Sequence, residues 1–119
     1  MGKITSFKDL KIWQMGMDVV KEVYSASNDF PRQELYGLTS QLRRSAISIP
    51  SNIAEGFKRY HNKEYKQFLY ISMGSMAELE TQLLIAFQLK FIKQPVMISI
   101  VDKLEQISKM TTSLIKKLN

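Results

Sequence analysis

The sequence predicts an all-α fold, an antiparallel up-down-up-down four-helix bundle, on three observations. Apolar residues recur at alternating spacings of three and four in four separate segments, which is the periodicity of an amphipathic helix. Five glycines and three prolines in 119 residues leave too few punctuators for the many short strands of a β-sandwich. The joints between the periodic segments are short, which makes consecutive helices antiparallel neighbours.

Helix 1 is expected over about 7 to 28, with Leu10, Trp13, Met17, Val20 and Tyr24 as its core seam. Ser6, three residues before Asp9, resembles a capping box, and Pro31 stops the helix because the residue before a proline is pushed out of the α region. A short turn at 32 to 36, ended by Gly37, leads into helix 2 over about 39 to 58, whose seam is Leu38, Leu42, Ala46 or Ser45, Ile49, Ile53 and Phe57. Pro50 interrupts that seam. A proline inside a helix costs roughly 3 kcal/mol, so Pro50 either kinks one helix or starts a second; the single kinked helix is preferred, with Ser45, Ser48 and Ser51 as hydroxyls near the freed carbonyls. Helix 3 is expected over about 63 to 91 behind an Asn62 N-cap, with Tyr65, Leu69, Met73 or Ser72, Met76, Leu79, Leu83 and Phe87 on one stripe. Phe68, Ile71, Ala77 and Ile85 make its other faces apolar too, which a helix needs only in a central position or at a subunit interface. Helix 4 is expected over about 95 to 118, with Met97, Ile100, Leu104, Ile107, Thr111, Leu114 and Leu118 in register, Pro95 near its start and Lys116 and Lys117 facing the negative end of its dipole. Residues 1–119 form one domain without a repeat or linker.

Composition narrows the function. The absence of cysteine excludes disulfides, thiolate metal sites and a thiol nucleophile, and suits a reducing cytoplasm. The longest apolar run, Leu83 to Phe87, is far short of the roughly 20 residues that cross a bilayer, so no membrane partner is expected. Catalytic chemistry is thinly supplied. His61 is the one histidine, no Glu stands three residues before it, and Glu78 and Glu80 are two apart and point to different faces of helix 3. No phosphate-cradling glycine loop or nucleophile elbow occurs. The expectation is a protein that is not an enzyme and takes no cofactor or metal.

Charge says more. Seventeen Lys and Arg against eleven Asp and Glu give a net charge of +6; residues 31 to 66 hold Arg32, Arg43, Arg44, Lys58, Arg59, Lys63 and Lys66 against Glu34, Glu55 and Glu64, so the surplus concentrates on helix 2 and around the turn after it. Gln41, Arg44, Ser48, Asn52 or Ser51, Glu55 and Arg59 share one face of helix 2. That stripe reads in three ways: a solvated face with Glu55 bridging Arg59, a polar inter-subunit contact with Glu78 of helix 3 as partner to an arginine, or a nucleic-acid footprint with cations on phosphates. Of the aromatics beside the basic turn, Phe57, Tyr65 and Phe68 suit the core and Tyr60 can stack on an unpaired base. Met17, Met73, Met76 and Met97 fall on the seams as gap-fillers.

The stretches Asp9-Leu10-Lys11-Ile12-Trp13-Gln14, Gly37 to Ala46, Ser48 to Gly56, Phe68 to Ile71 and Gly74 to Gln82 together resemble the bacterial four-helix proteins of the 23S rRNA intervening-sequence, or S23, family, over roughly residues 7 to 118. The resemblance implies a cytoplasmic bundle that assembles into a homopentameric ring. Related bundles are the accessory variability determinants of diversity-generating retroelements, which bind nucleic acid and a reverse transcriptase. Carried over residue by residue, Arg43, Arg44 and Arg59 occupy motif positions and become candidate contacts to an RNA or DNA backbone; Lys58, Lys63 and Lys66 join them on charge alone. Ser48, Asn52, Glu55 and Glu78 also match, and polar motif positions can serve a subunit interface. Five copies would carry about +30, a field strong enough to gather a polyanion. The expected partners are therefore further copies of the chain, structured RNA or DNA and, as the alternative, an acidic protein.

Overall fold

The computed structural model describes residues 2–119; Met1 of the expected domain lies outside the described residues. Four helices follow in order: α1 (Lys11–Ser27), α2 (Leu38–Phe57), α3 (Asn62–Gln88) and α4 (Gln94–Lys117). Short 3-10 turns at Phe7–Asp9 and Arg32–Glu34 precede α1 and α2. Among the described residues there is no β-strand. Each helix packs on two others in the closed cycle α1, α2, α3, α4, α1, and the α2–α3 pair is the most extensive.

The first expected helix divides. Ser6 and Asp9 do form a capping box, but it closes a 3-10 turn, after which Leu10 is extended. The Asp9 carboxylate accepts from the backbone N–H groups of Thr5 and Ser6, each at 3.1 Å, and those bonds hold its pKa below the usual carboxylate value. The core seam of α1 also differs from expectation. Ile12, Gly16, Val19 and Val23 are buried, whereas Met17 and Tyr24 are 37% and 41% exposed. The seam turns by one residue because Gly16 lets α2 approach closely: a Cβ there would meet Pro50 Cβ at 3.4 Å and Ile49 Cγ2 at 3.5 Å. Trp13, Met17 and Val20 instead line an open groove with Ile47, Pro50 and Ala54.

Helix α2 runs unbroken through Pro50, which selects the single-helix alternative. Ser45 and Ser51 make no side-chain hydrogen bond there; the side-chain bonds beside Pro50 go instead to neighbouring carbonyls, from the Asn52 amide to that of Ser48 at 2.8 Å and from Ser72 of α3 to that of Ile49 at 2.9 Å. Helix α3 begins one residue earlier than expected, so His61 and not Asn62 is its N-cap. It ends at Gln88, not 91, because Lys90 adopts the left-handed conformation (φ 66°). Phe91 N–H then reaches the Ala86 carbonyl at 2.8 Å and Lys90 N–H the Phe87 carbonyl at 3.0 Å, the paired bonds that satisfy the last carbonyls of a helix. Helix α4 buries Met97, Ile100, Leu104, Ile107 and Thr111 as expected, then Ile115 in place of Leu114. Glu22 of α1 pairs with Lys103 of α4 and closes the cycle.

Candidate nucleic-acid interface

The six cations singled out by sequence fall into two separate groups. At the α2–α3 junction stand Lys58, Arg59, Lys63 and Lys66, all exposed except the half-buried Lys66. Arg43 and Arg44 lie about four turns back along α2, roughly 20 Å away at 1.5 Å per residue.

The junction is fixed by a close crossing. Gly56 meets α3 so tightly that a Cβ there would sit 2.8 Å from Phe68 Cβ and 3.1 Å from Tyr65 Cδ1. Phe57 and Tyr65 meet edge to face, centroids 6.1 Å apart, and burial raises the pKa of the Tyr65 phenol. With α2 and α3 locked here, only the four residues between them are left to turn, and the long basic side chains on both sides of the turn share one end of the molecule. Asn119 lies beside Lys63, Lys66, Gln67 and Tyr70, around an open depression of about 450 Å³. The last turn of α4, with exposed Lys116 and Lys117, thereby joins the same basic end.

These cations are not equally available. Arg59 donates to Glu55 at 2.9 Å and its guanidinium lies 4.7 Å from the centre of the Phe68 ring. Lys58, Lys63 and Lys66 have no carboxylate within 4.0 Å; among the described residues the only ion pairs are Glu55–Arg59 and Glu22–Lys103. Arg43 is occupied elsewhere: its Nε donates to Ser27 Oγ at 2.9 Å and its guanidinium stacks on Tyr24 at 4.5 Å, tying α2 to the end of α1. Arg44 is exposed and without a partner. The structure thus places Arg43 in a brace between helices and leaves three lysines as the open charges of the junction.

The polar residues marked as an interface also separate. Ser48 Oγ lies 2.8 Å from Ser75 Oγ of α3, and Asn52 Nδ2 donates to Ser48 Oγ at 2.8 Å, so Ser48 and Asn52 lie in a seam between α2 and α3 of the same chain. Glu55 serves Arg59, and Glu78 is exposed beside Gln41, Thr81 and Gln82. Sequence reading missed this seam. Ser72 and Ser75, small and polar inside the apolar stripe of α3, were its visible signal. Tyr70, counted among the aromatics beside the basic turn but given no role from sequence, is 59% exposed beside the lysines of the depression.

Among the described residues no cluster of three or more metal-ligating side chains occurs, and no helix is long and apolar enough to cross a membrane.

The family model described as 23S rRNA-intervening sequence protein matches residues 8–113. The crystal structure of a protein of unknown function from Bacteroides thetaiotaomicron, described as belonging to the S23 ribosomal protein family, is similar at 21% identity with a TM-score of 0.79, over 89% of this chain and 99% of that one. No curated protein matches the chain.

Proposed function

The chain belongs to the 23S rRNA-intervening sequence protein family, and from that premise we propose that it is a non-enzymatic, homo-oligomeric, cytoplasmic bundle that binds structured RNA or DNA through phosphates at the α2–α3 junction. The observation that carries this reading is the set Lys58, Lys63 and Lys66, gathered at the α2–α3 junction with no carboxylate within 4.0 Å of any of them. Lysine ammoniums in this setting act as point charges for phosphate and release counterions on binding, which gives affinity with little sequence reading. Arg59, just past the end of α2, adds a guanidinium that exchanges Glu55 for phosphate, and Arg44 extends the basic surface along α2.

The four helices are read as up-down-up-down. Supporting this, Gly16 meets Pro50, Tyr24 meets Arg43, Ser48 meets Ser75 and Gly56 meets Phe68, so rising numbers on one helix pair with falling numbers on the next. Self-association into a ring, which the family resemblance implies, is supported by Ile71, Leu84 and Ile85 of α3, each more than 40% exposed. A second reading, an accessory subunit that docks an acidic protein such as a reverse transcriptase, is favoured by the apolar α1–α2 groove, where Ile47 is 42% exposed and Arg44 stands one turn away.

The test is a fluorescence-anisotropy titration of hairpin RNA, duplex DNA and heparin at several salt concentrations, with mass followed by light scattering. Wild type is expected to bind the nucleic acids more tightly than heparin. The Lys58→Ala, Lys63→Ala, Lys66→Ala triple variant should keep its mass and bind duplex with a log–log salt slope shallower by about 2.7, at 0.9 per phosphate lost. An unchanged slope, or equal weak binding to every polyanion, refutes the phosphate reading and moves the search to acidic protein partners.

A further inference from the structure

We propose that the junction takes single-stranded nucleic acid, with unpaired bases stacked on Tyr60 and Tyr70 between the lysines. This rests on the phosphate-binding reading above and narrows its ligand to strands whose base faces are free.

The inference starts from where the aromatic rings are not. The junction already has a packed aromatic core in Phe57 and Tyr65, yet two further tyrosines stay in water beside it. Tyr60 is 93% exposed and touches the His61 ring at near right angles, 5.1 Å between centroids. It stands within the run Lys58, Arg59, Tyr60, His61, Asn62, Lys63. Tyr70, 59% exposed, shares an open depression of about 450 Å³ with Lys63, Lys66, Gln67 and Asn119. Positions 63, 66, 67 and 70 recur at helical spacing on one face of α3, so two ammoniums, a side-chain amide and a ring line one surface.

Each component has a distinct use for a single strand. Ammoniums meet the backbone, the Gln67 amide has a donor and an acceptor for a base edge, and an exposed ring offers a π-face to any base. A duplex gains nothing from the rings, because its bases are already stacked on one another and present edges only. Tyr36 is the internal comparison. It is exposed to the same 93%, but it precedes α2 and so stands about 30 Å, the length of that helix, from Lys58.

The experiment measures binding of three probes of equal length at fixed salt: a single-stranded oligonucleotide, its duplex, and an abasic strand that has the phosphates without the bases. Wild type is expected to prefer the single strand to the abasic strand. Tyr60→Ala and Tyr70→Ala should each weaken single-strand binding by about 5- to 150-fold, the range of one lost stacked base, and leave duplex binding, abasic binding and the salt slope unchanged. Tyr60→Phe and Tyr70→Phe should bind as wild type, and so should Tyr36→Ala. Equal affinity for the single and abasic strands, or alanine variants that bind like wild type, overturns the stacking site while phosphate binding stands. Absence of binding to all three probes removes the phosphate reading and the stacking site with it.

Discussion

Two glycine-to-alanine substitutions of identical chemistry should change stability in opposite directions. At Gly56 an added Cβ would lie 2.8 Å from Phe68 Cβ, 3.1 Å from Tyr65 Cδ1 and 3.2 Å from the Tyr65 carbonyl oxygen. Carbon atoms prefer about 3.5–4.0 Å, and Phe68 Cβ is fixed to the α3 backbone, so no rotamer change removes the clash. The helices must separate by several tenths of an ångström at their tightest crossing. Overpacking of this kind costs about 1–3 kcal/mol, against a helix-propensity gain near 1 kcal/mol for replacing glycine. The net expectation is a loss of about 1–2 kcal/mol at the upper half of that range. At Gly74, in the exposed middle of α3, nothing lies within 4 Å of the added methyl, so the propensity gain of about 0.8–1 kcal/mol stands alone. An unfolding entropy of about 2.1 cal/mol/K per residue makes 1 kcal/mol equivalent to roughly 4 °C at this chain length. Thermal unfolding followed by circular dichroism, at one fixed protein concentration because self-association would shift the midpoint, should therefore show Gly56→Ala lower by about 4–8 °C and Gly74→Ala higher by about 3–4 °C. If both variants rise together, α2 and α3 do not approach closely at Gly56, and the account of how the basic junction is held is wrong.

Two further outcomes follow from the backbone. Lys90 is held at φ 66° to end α3, a conformation that costs a side-chain-bearing residue about 1–2 kcal/mol; after the greater freedom of glycine in the unfolded chain is subtracted, Lys90→Gly should raise stability by about 0.5–1 kcal/mol in urea unfolding, and a loss would mean that the lysine side chain has a role of its own. The Asp9 pKa lies below its unfolded value, so the carboxylate's contribution is present above about pH 4, the ordinary value, and fades as pH falls through the depressed folded value. Since the Phe7 ring packs edge-on against Trp13 at 5.4 Å and Trp13 is the one tryptophan, its fluorescence should report opening of the Phe7–Asp9 turn in that acid window, and Asp9→Asn should give the opened signal already at pH 7.

Much of this was legible in the sequence because alternating spacings of three and four leave few choices of helix position, and α2 and α4 fall within one residue of the expected bounds. The orientation of α1 was not, since two neighbouring stripes satisfy the same spacing. Leu10, Trp13, Met17, Val20 and Tyr24 carry more apolar area than Ile12, Gly16, Val19 and Val23, and area alone favours the wrong stripe. Steric fit decides for the other: the Gly16 face admits Pro50 at van der Waals distance, which a Trp or Met face does not. The end of α3 was illegible for a related reason, because a lysine occupies the left-handed position where sequence reasoning looks for glycine. At the candidate site the cations were found, but charge by itself does not distinguish Arg43, which braces α1, from Lys63, which is free.

The small polar residues of α2 and α3 account for both the bonding of Ser48 and Asn52 within the chain and the position of the basic end. Ser48, Ser72 and Ser75 bond across the seam at 2.8–2.9 Å, and Gly56 closes it at the junction, so Ser48, with Asn52 bonded to it, joins α2 to α3 while Gln41, Arg44, Glu55 and Glu78 stay exposed. Beyond the crossing, in the turn and the first turns of α3, stand lysines without a carboxylate partner, and Arg44 is left open on α2 itself. Framework and cation surface are then made by different residues: the serines, Gly56, Phe57 and Tyr65 hold the helices, while Lys58, Lys63 and Lys66 make no ion pair with a carboxylate. Exposed side chains without specific partners change stability by within about 0.5 kcal/mol when replaced, so charge at Lys58 and Lys63 can be removed without loosening the helices that present it, and a loss of binding in those two variants, with the half-buried Lys66 left in place, is assigned to lost phosphate contacts.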